Sequence, residues 1–173
     1  LMMRNSSIYN YISGDNLHMN DVEVFPSSVA EGVFKHGDVV ISLRNIHTIL
    51  VFNPDTLKVR YVKTGGFIRQ HDPDFIDGNT LTLFDNNYVT NSPIRSSRII
   101  SLDARSNEIE TVYSGSETAE FSSKIMGKHQ WLENGRLLIT ESRSGRAFEL
   151  DQNGQIIWEY LNKVDADTLG IIT

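Results

Sequence analysis

Short apolar runs, each bounded by polar or glycine-containing turns, recur along the chain. The first group is Val39–Leu43, then Thr48–Asn53, then Leu57–Tyr61. The second is Thr80–Phe84, Arg98–Asp103 and Glu108–Tyr113, and the third is Arg136–Glu141, Gly145–Asp151 and Gln155–Tyr160. Runs of this length between turn residues predict strands, and no window carries an apolar stripe through three helical turns. Each group opens on a glycine turn: His36-Gly37-Asp38, Asp77-Gly78-Asn79 and Asn134-Gly135. Each also has a tight turn before its last strand: Asn53-Pro54-Asp55-Thr56, Asp103-Ala104-Arg105-Ser106-Asn107 and Asp151-Gln152-Asn153-Gly154. Pro presets φ, Asn and Asp bond their own backbone, and Gly reaches positive φ.

A further short segment precedes each glycine turn: His18–Phe25, Gln70–Ile76 and His129–Leu132. Four strands per unit is the signature of a β-propeller blade. Gly37, Gly78 and Gly135 are 41 and 57 residues apart, against a blade period of about 40 to 50. Loops at Asn87–Ser96 and Ser114–Lys128 account for the longer interval. The units run from about 15 to 64, 65 to 115 and 120 to 162 of one domain spanning 1–173. Composition agrees: Val, Ile and Thr total 40 while Ala appears 5 times, and β-branched side chains suit a pleated surface. The predicted class is all-β, with about three four-stranded blades. Closed propellers have roughly four to eight blades, so the expected object is a partial propeller or half of a six-bladed ring made by two copies. A β-sandwich fits the length but leaves the threefold phrase unexplained.

With 22 acidic and 16 basic side chains the formal charge is −6, which argues against broad capture of nucleic acid or an anionic membrane. No apolar run approaches the roughly 18 residues needed to span a bilayer. Leu1–Ser7 lacks the apolar centre of a signal peptide, and the compartment stays open. The absence of cysteine removes disulfides, thiolate catalysis and cysteine-held metal.

Three of the five histidines, His18, His71 and His129, fall in the first strand segment of successive units. Singly, each reads as a polar residue satisfied by its neighbours. The shared position is what points to the central channel, where first strands open. His36 and His47 read as solvent-facing. Arg44 ends an apolar strand, where it reads as a surface charge or as a clamp for sulfate or phosphate oxygens. Asp85 and Asn86 read as a turn before a possible role in orienting a histidine, and Trp158 and Tyr160 as blade packing.

From about Asp15 to Tyr160 the chain resembles the arylsulfotransferases, six-bladed propellers. The phrases that carry the resemblance are His18-Met19-Asn20-Asp21-Val22, Ile41-Ser42-Leu43-Arg44-Asn45, Gly65-Gly66-Phe67 with Gln70-His71-Asp72-Pro73, Leu83-Phe84-Asp85-Asn86, and Glu133-Asn134-Gly135-Arg136-Leu137-Leu138-Ile139-Thr140. The resemblance implies transfer of a sulfuryl group from a phenolic sulfate donor to a phenol acceptor through sulfohistidine, without the nucleotide donor PAPS, other cofactor or metal. By motif position it implies His71 as nucleophile, His18 as a second active-site histidine and Arg44 as an active-site arginine. Asn20 and Asn45 are candidates for substrate binding, and so is His129, which has no catalytic counterpart in the family. The resemblance also implies that blades supplying another active-site histidine lie outside these 173 residues. A homodimer or the missing blades of a longer chain would then complete the ring. The competing expectations are a propeller that binds ligand or protein without chemistry, and metal held by the three histidines.

Overall fold

The computed structural model describes residues 14–89, 96–116 and 119–172. The Leu1–Ser7 segment lies outside them, as do parts of the Asn87–Ser96 and Ser114–Lys128 loops. Twelve strands form three four-stranded antiparallel sheets. The first sheet holds β1 (Met19–Val24), β2 (Val39–Leu43), β3 (Thr48–Asn53) and β4 (Lys58–Thr64). The second holds β5 (His71–Phe75), β6 (Thr80–Asp85), β7 (Arg98–Asp103) and β8 (Ile109–Ser114). The third holds β9 (Lys128–Trp131), β10 (Leu137–Glu141), β11 (Arg146–Leu150) and β12 (Ile156–Leu161). Among the described residues the helical content is three single 3-10 turns, and no helix is long and apolar enough to cross a membrane.

Within each sheet the strands pair in sequence order, and the first strands meet along the inner edge, β1 with β5 and β5 with β9. This is the arrangement of three consecutive blades of a β-propeller. Alternation along each strand feeds two separate cores. Leu81 and Leu83 of β6 face the first blade with Val40, Ile49, Val51, Ile100 and Leu102. Phe84 of the same strand turns the other way, to Phe121, Leu137, Ile139 and Phe148. The middle blade is therefore covered on both faces, which explains why five of the six β6 residues are buried although Thr80, Thr82 and Asp85 interrupt its apolar side chains.

The outer blades each present one open face. Val22, Ile41, Leu50 and Val62 form a continuous register row across the first blade, and Val22 and Val62 are exposed. On the third blade, Trp158 and Tyr160 stack on each other at 6.3 Å and 9°. Both remain exposed, so the expected packing between blades is replaced here by a ring-on-ring contact.

Candidate functional site

His18, Arg44 and His71 come from one end of the blades. His18 immediately precedes β1, Arg44 opens the 3-10 turn after β2, and His71 is the first residue of β5. Antiparallel pairing of Met19 with Leu43 and of His71 with Phe84 sets these positions at the same end of their sheets. Backbone bonds tie the His18 approach to the arginine turn: Arg44 N–H donates to the His18 carbonyl at 3.0 Å, and Asn45 N–H to that of Leu17 at 3.1 Å. His18 is exposed and its Nδ1 pairs with Asp15. That bond, with help from the nearby Arg44 charge, holds the Asp15 carboxyl below its usual range.

The surroundings of His71 select one tautomer. Its Nδ1 lies 2.6 Å from Asn86 Oδ1 and 3.1 Å from the Arg69 carbonyl oxygen. The Asn86 amide is oriented by its own Nδ2, which donates to the carbonyls of Ser123 at 2.8 Å and Met126 at 2.7 Å. Both neighbours of Nδ1 are thus acceptors, so Nδ1 carries the proton and Nε2 of the neutral ring keeps its lone pair. Burial pushes the imidazole below its usual range; the Asn86 bond opposes this, and the Arg44 and His18 charges add to it. Gly127 helps to build the Asn86 support, because at φ +117° a Cβ there would stand 2.5 Å from the Phe84 ring.

Two groups at this end, Arg69 and His47, were not legible as site residues, and Asn86 takes the histidine-orienting role that the sequence offered beside a turn. Arg69, at φ 57°, lends its carbonyl to His71 and donates its N–H to His47 Nδ1 at 3.1 Å, and its guanidinium lies 5.6 Å from the Tyr88 ring centroid. His47 is half-buried and not solvent-facing; burial and the Arg69 charge lower its pKa. Burial, then the charge of Arg69, likewise lowers the pKa of Arg44, leaving two guanidinium groups near one imidazole. The adjacency Arg69-Gln70-His71 was the one available signal. Asp85 anchors the same loop by accepting Ile68 N–H at 2.8 Å and Asn87 N–H at 2.9 Å, and it pairs with Arg98.

The remaining predicted residues sit in two places. Asn45 donates to the Asp15 carbonyl at 2.7 Å, and Asn20 to that of Gln70 at 2.9 Å. The first of these joins the His18 segment to the arginine turn, and the second joins the first two blades. His129 is buried, wedged between the second and third blades, with Nε2 2.8 Å from Thr82 Oγ1. Its side chain is 0% exposed and lies in the layer between those blades, and its backbone N–H donates to Asp72 Oδ2. Its neighbours are acidic: Asp72 and Asp74 of β5, with Asp21 and Glu23 of β1 close by. Burial pushes Glu23 up to about 7 and Asp74 to about 6, with neighbouring carboxylates adding to both. Burial opposes ionisation of Asp72 too, but bonds from His129 hold it below the usual range.

The family model described as arylsulfotransferase (ASST) matches residues 6–163. The chain belongs to the arylsulfotransferase family. No curated protein matches the chain. Among solved structures it is similar to a protein of unknown function from Bacteroides caccae, at TM-score 0.52 and 14% identity over 82% of this chain and 45% of that one. It is similar to the WD40 β-propeller domain of Doa1, at TM-score 0.53 and 12% identity over 82% of this chain and 40% of that one. A functionally unknown protein from Desulfotomaculum acetoxidans DSM 771 gives TM-score 0.51 and 14% identity over 84% of this chain and 42% of that one. At such identities the likeness carries the fold alone. This arylsulfotransferase-family chain spans less than half the length of those structures.

Proposed function

We propose that the chain supplies the nucleophilic part of an aryl sulfotransferase that moves a sulfuryl group between phenols through a sulfohistidine. The observation that carries this reading is the His71 ring, with Nδ1–H held by Asn86 and the Arg69 carbonyl and Nε2 left with its lone pair. In the first step an Nε2–S bond forms and the S–O bond to the donor breaks, with the electron pair leaving on the phenolate. The positive charge that develops on the ring is met by the two acceptors at Nδ1. Arg44 offers N–H groups to the sulfuryl oxygens, and His18 gives its proton to the departing phenolate, which leaves as the phenol. In the second step the acceptor phenol oxygen attacks sulfur and the N–S bond breaks. The acceptor's proton passes to His18, which returns to its starting state, and neutral His71 is regenerated. No nucleotide donor enters either step. The ring around this group is completed by further blades, either from a longer chain or from a second copy.

The test is transfer from 4-nitrophenyl sulfate to added phenol by the wild type and by His71→Asn and Asn86→Ala. Turnover that rises with phenol, vanishes in His71→Asn and falls roughly 10- to 100-fold in kcat, with little change in KM, in Asn86→Ala is the expected result. That fall is the rate equivalent of losing a charge-assisted hydrogen bond. Phenol-independent turnover, or turnover surviving in His71→Asn, would overturn the mechanism. Ligand binding without turnover, unaffected by either substitution, would instead identify a binding module.

A further inference from the structure

We infer that Asp72, Asp74 and His129 form a binding site for one divalent cation, of the Mn2+ or Zn2+ type, between the second and third blades. One ligand atom from each of the three lies within 4.8 Å of the other two. They border a cleft of about 330 Å³ shared with Lys128 and Gln130. None of them belongs to the His71 constellation, and the inference does not depend on sulfuryl transfer.

The decisive group is the imidazole of His129, whose side chain is 0% exposed. Its Nε2 lies 2.8 Å from Thr82 Oγ1, which also accepts the Trp131 indole N–H at 3.3 Å. Two tautomers satisfy this contact: with the hydroxyl donating to Nε2, Nδ1–H faces Asp72, and with Nε2–H donated to the hydroxyl, Nδ1 bears the lone pair that the proposed site uses. This Nδ1 is buried without a well-directed hydrogen bond; its polar neighbour is Asp72 Oδ2 at 3.0 Å, while Asp74 Oδ2 lies 3.6 Å from Nε2. A lone pair facing a carboxylate oxygen is repelled unless positive charge lies between them. Two ligands, each about 2.1 Å from one tetrahedral ion, are separated by about 3.4 Å, so a small opening of the Nδ1–Asp72 contact would admit the metal. A ligating histidine is usually fixed through its other nitrogen by a carboxylate, backbone carbonyl or water, and Thr82 Oγ1 takes that place here.

The protein's own cation here is poorly placed to do this work. Lys128 is 69% exposed and reaches Asp72 only at 3.5 Å, while Asp74 and the neighbouring Asp21 and Glu23 bring further carboxyl groups to the same wall. Two carboxylates and one imidazole match the preferences of Mn2+ and Zn2+ better than the all-oxygen shells of Ca2+ or Mg2+. The local chain is shaped for it: Asp72 adopts φ 52°, and the β5–β6 register shifts between His71 and Asp74. That bulge brings both carboxylates towards His129.

The experiment titrates Mn2+, followed by its free-ion electron paramagnetic resonance signal, and separately Zn2+ by calorimetry, into chelator-treated full chain. One ion per chain, lost in Asp74→Asn, is the expected result. Failure to reach stoichiometric binding of either metal, or unchanged affinity in Asp74→Asn, overturns the site. Nitrogen-detected imidazole spectra of the wild type keep the inference testable if that variant does not fold. An unprotonated Nδ1 of His129 that shifts when Zn2+ is added supports it. A protonated Nδ1 that Zn2+ leaves in place makes His129–Asp72 a simple ion pair and overturns it.

Discussion

At the scale of single residues the site is a matter of which nitrogen faces which acceptor. His71 keeps Nε2 free because Asn86 cannot donate from Oδ1 and its Nδ2 is already committed to two carbonyls. His47 shows the same logic with a consequence for acid stability. Its Nδ1 accepts the Arg69 N–H, so protonation would remove that bond while placing a third positive charge beside Arg69 and Arg44; of the charged groups that act on it, Asp85 favours the proton. The folded pKa is below the ordinary 6.5. The neutral ring's contribution to stability is therefore complete above that ordinary value and is lost as pH falls through the folded one. Thermal melts from pH 7.5 to 5 should show a smaller acid loss in His47→Asn than in the wild type. Asn tolerates the left-handed backbone at this position, so equal losses would assign the acid sensitivity elsewhere.

At the scale of elements, the blades are held by aromatic side chains from connections as well as strands. Phe34, in the β1–β2 connection, is fully buried and meets Phe75 at 5.1 Å, Tyr61 at 6.2 Å and Phe25 at 6.4 Å. Its N–H also donates to the Gly78 carbonyl of the next blade at 2.8 Å. One residue thus closes the layer between the first two blades. Phe34→Ala should cost about 3–5 kcal/mol, read as a lower urea midpoint with an unchanged slope. A loss below 1 kcal/mol, an order-of-magnitude floor for a filled core site, would mean that the connection is not part of the cooperative unit.

At the scale of the whole molecule, three blades leave two broad faces uncovered. The row Val22, Ile41, Leu50 and Val62 is apolar throughout, unlike a surface evolved for water. The third blade offers Trp158 and Tyr160 on its own outer face. A second copy can cover both and bring the blade count to six, so the isolated chain should sediment above its 19.6 kDa. Lysines at both ends of the row, Val22→Lys with Val62→Lys, should return it to the monomer mass. A wild type already monomeric would leave closure to further blades alone.

The strands, their grouping into fours and the family were all legible in the chain, because alternation, turn residues and short phrases such as Ser42-Leu43-Arg44-Asn45 are local properties. So was the choice of His18, Arg44 and His71 as candidates. Their surroundings were not. Asn86 reads as a turn residue until the 123–126 segment is seen to fix its amide, and Arg69 carries no motif of its own. His129 shares a sequence position with His18 and His71, yet it turns into the layer between blades, because β9 packs against Thr82 and the bulged end of β5. Sequence alone determined the strands and the candidate chemistry. Tertiary structure decided which side chains share a dry, charged space, since that depends on contacts between residues as much as 57 positions apart.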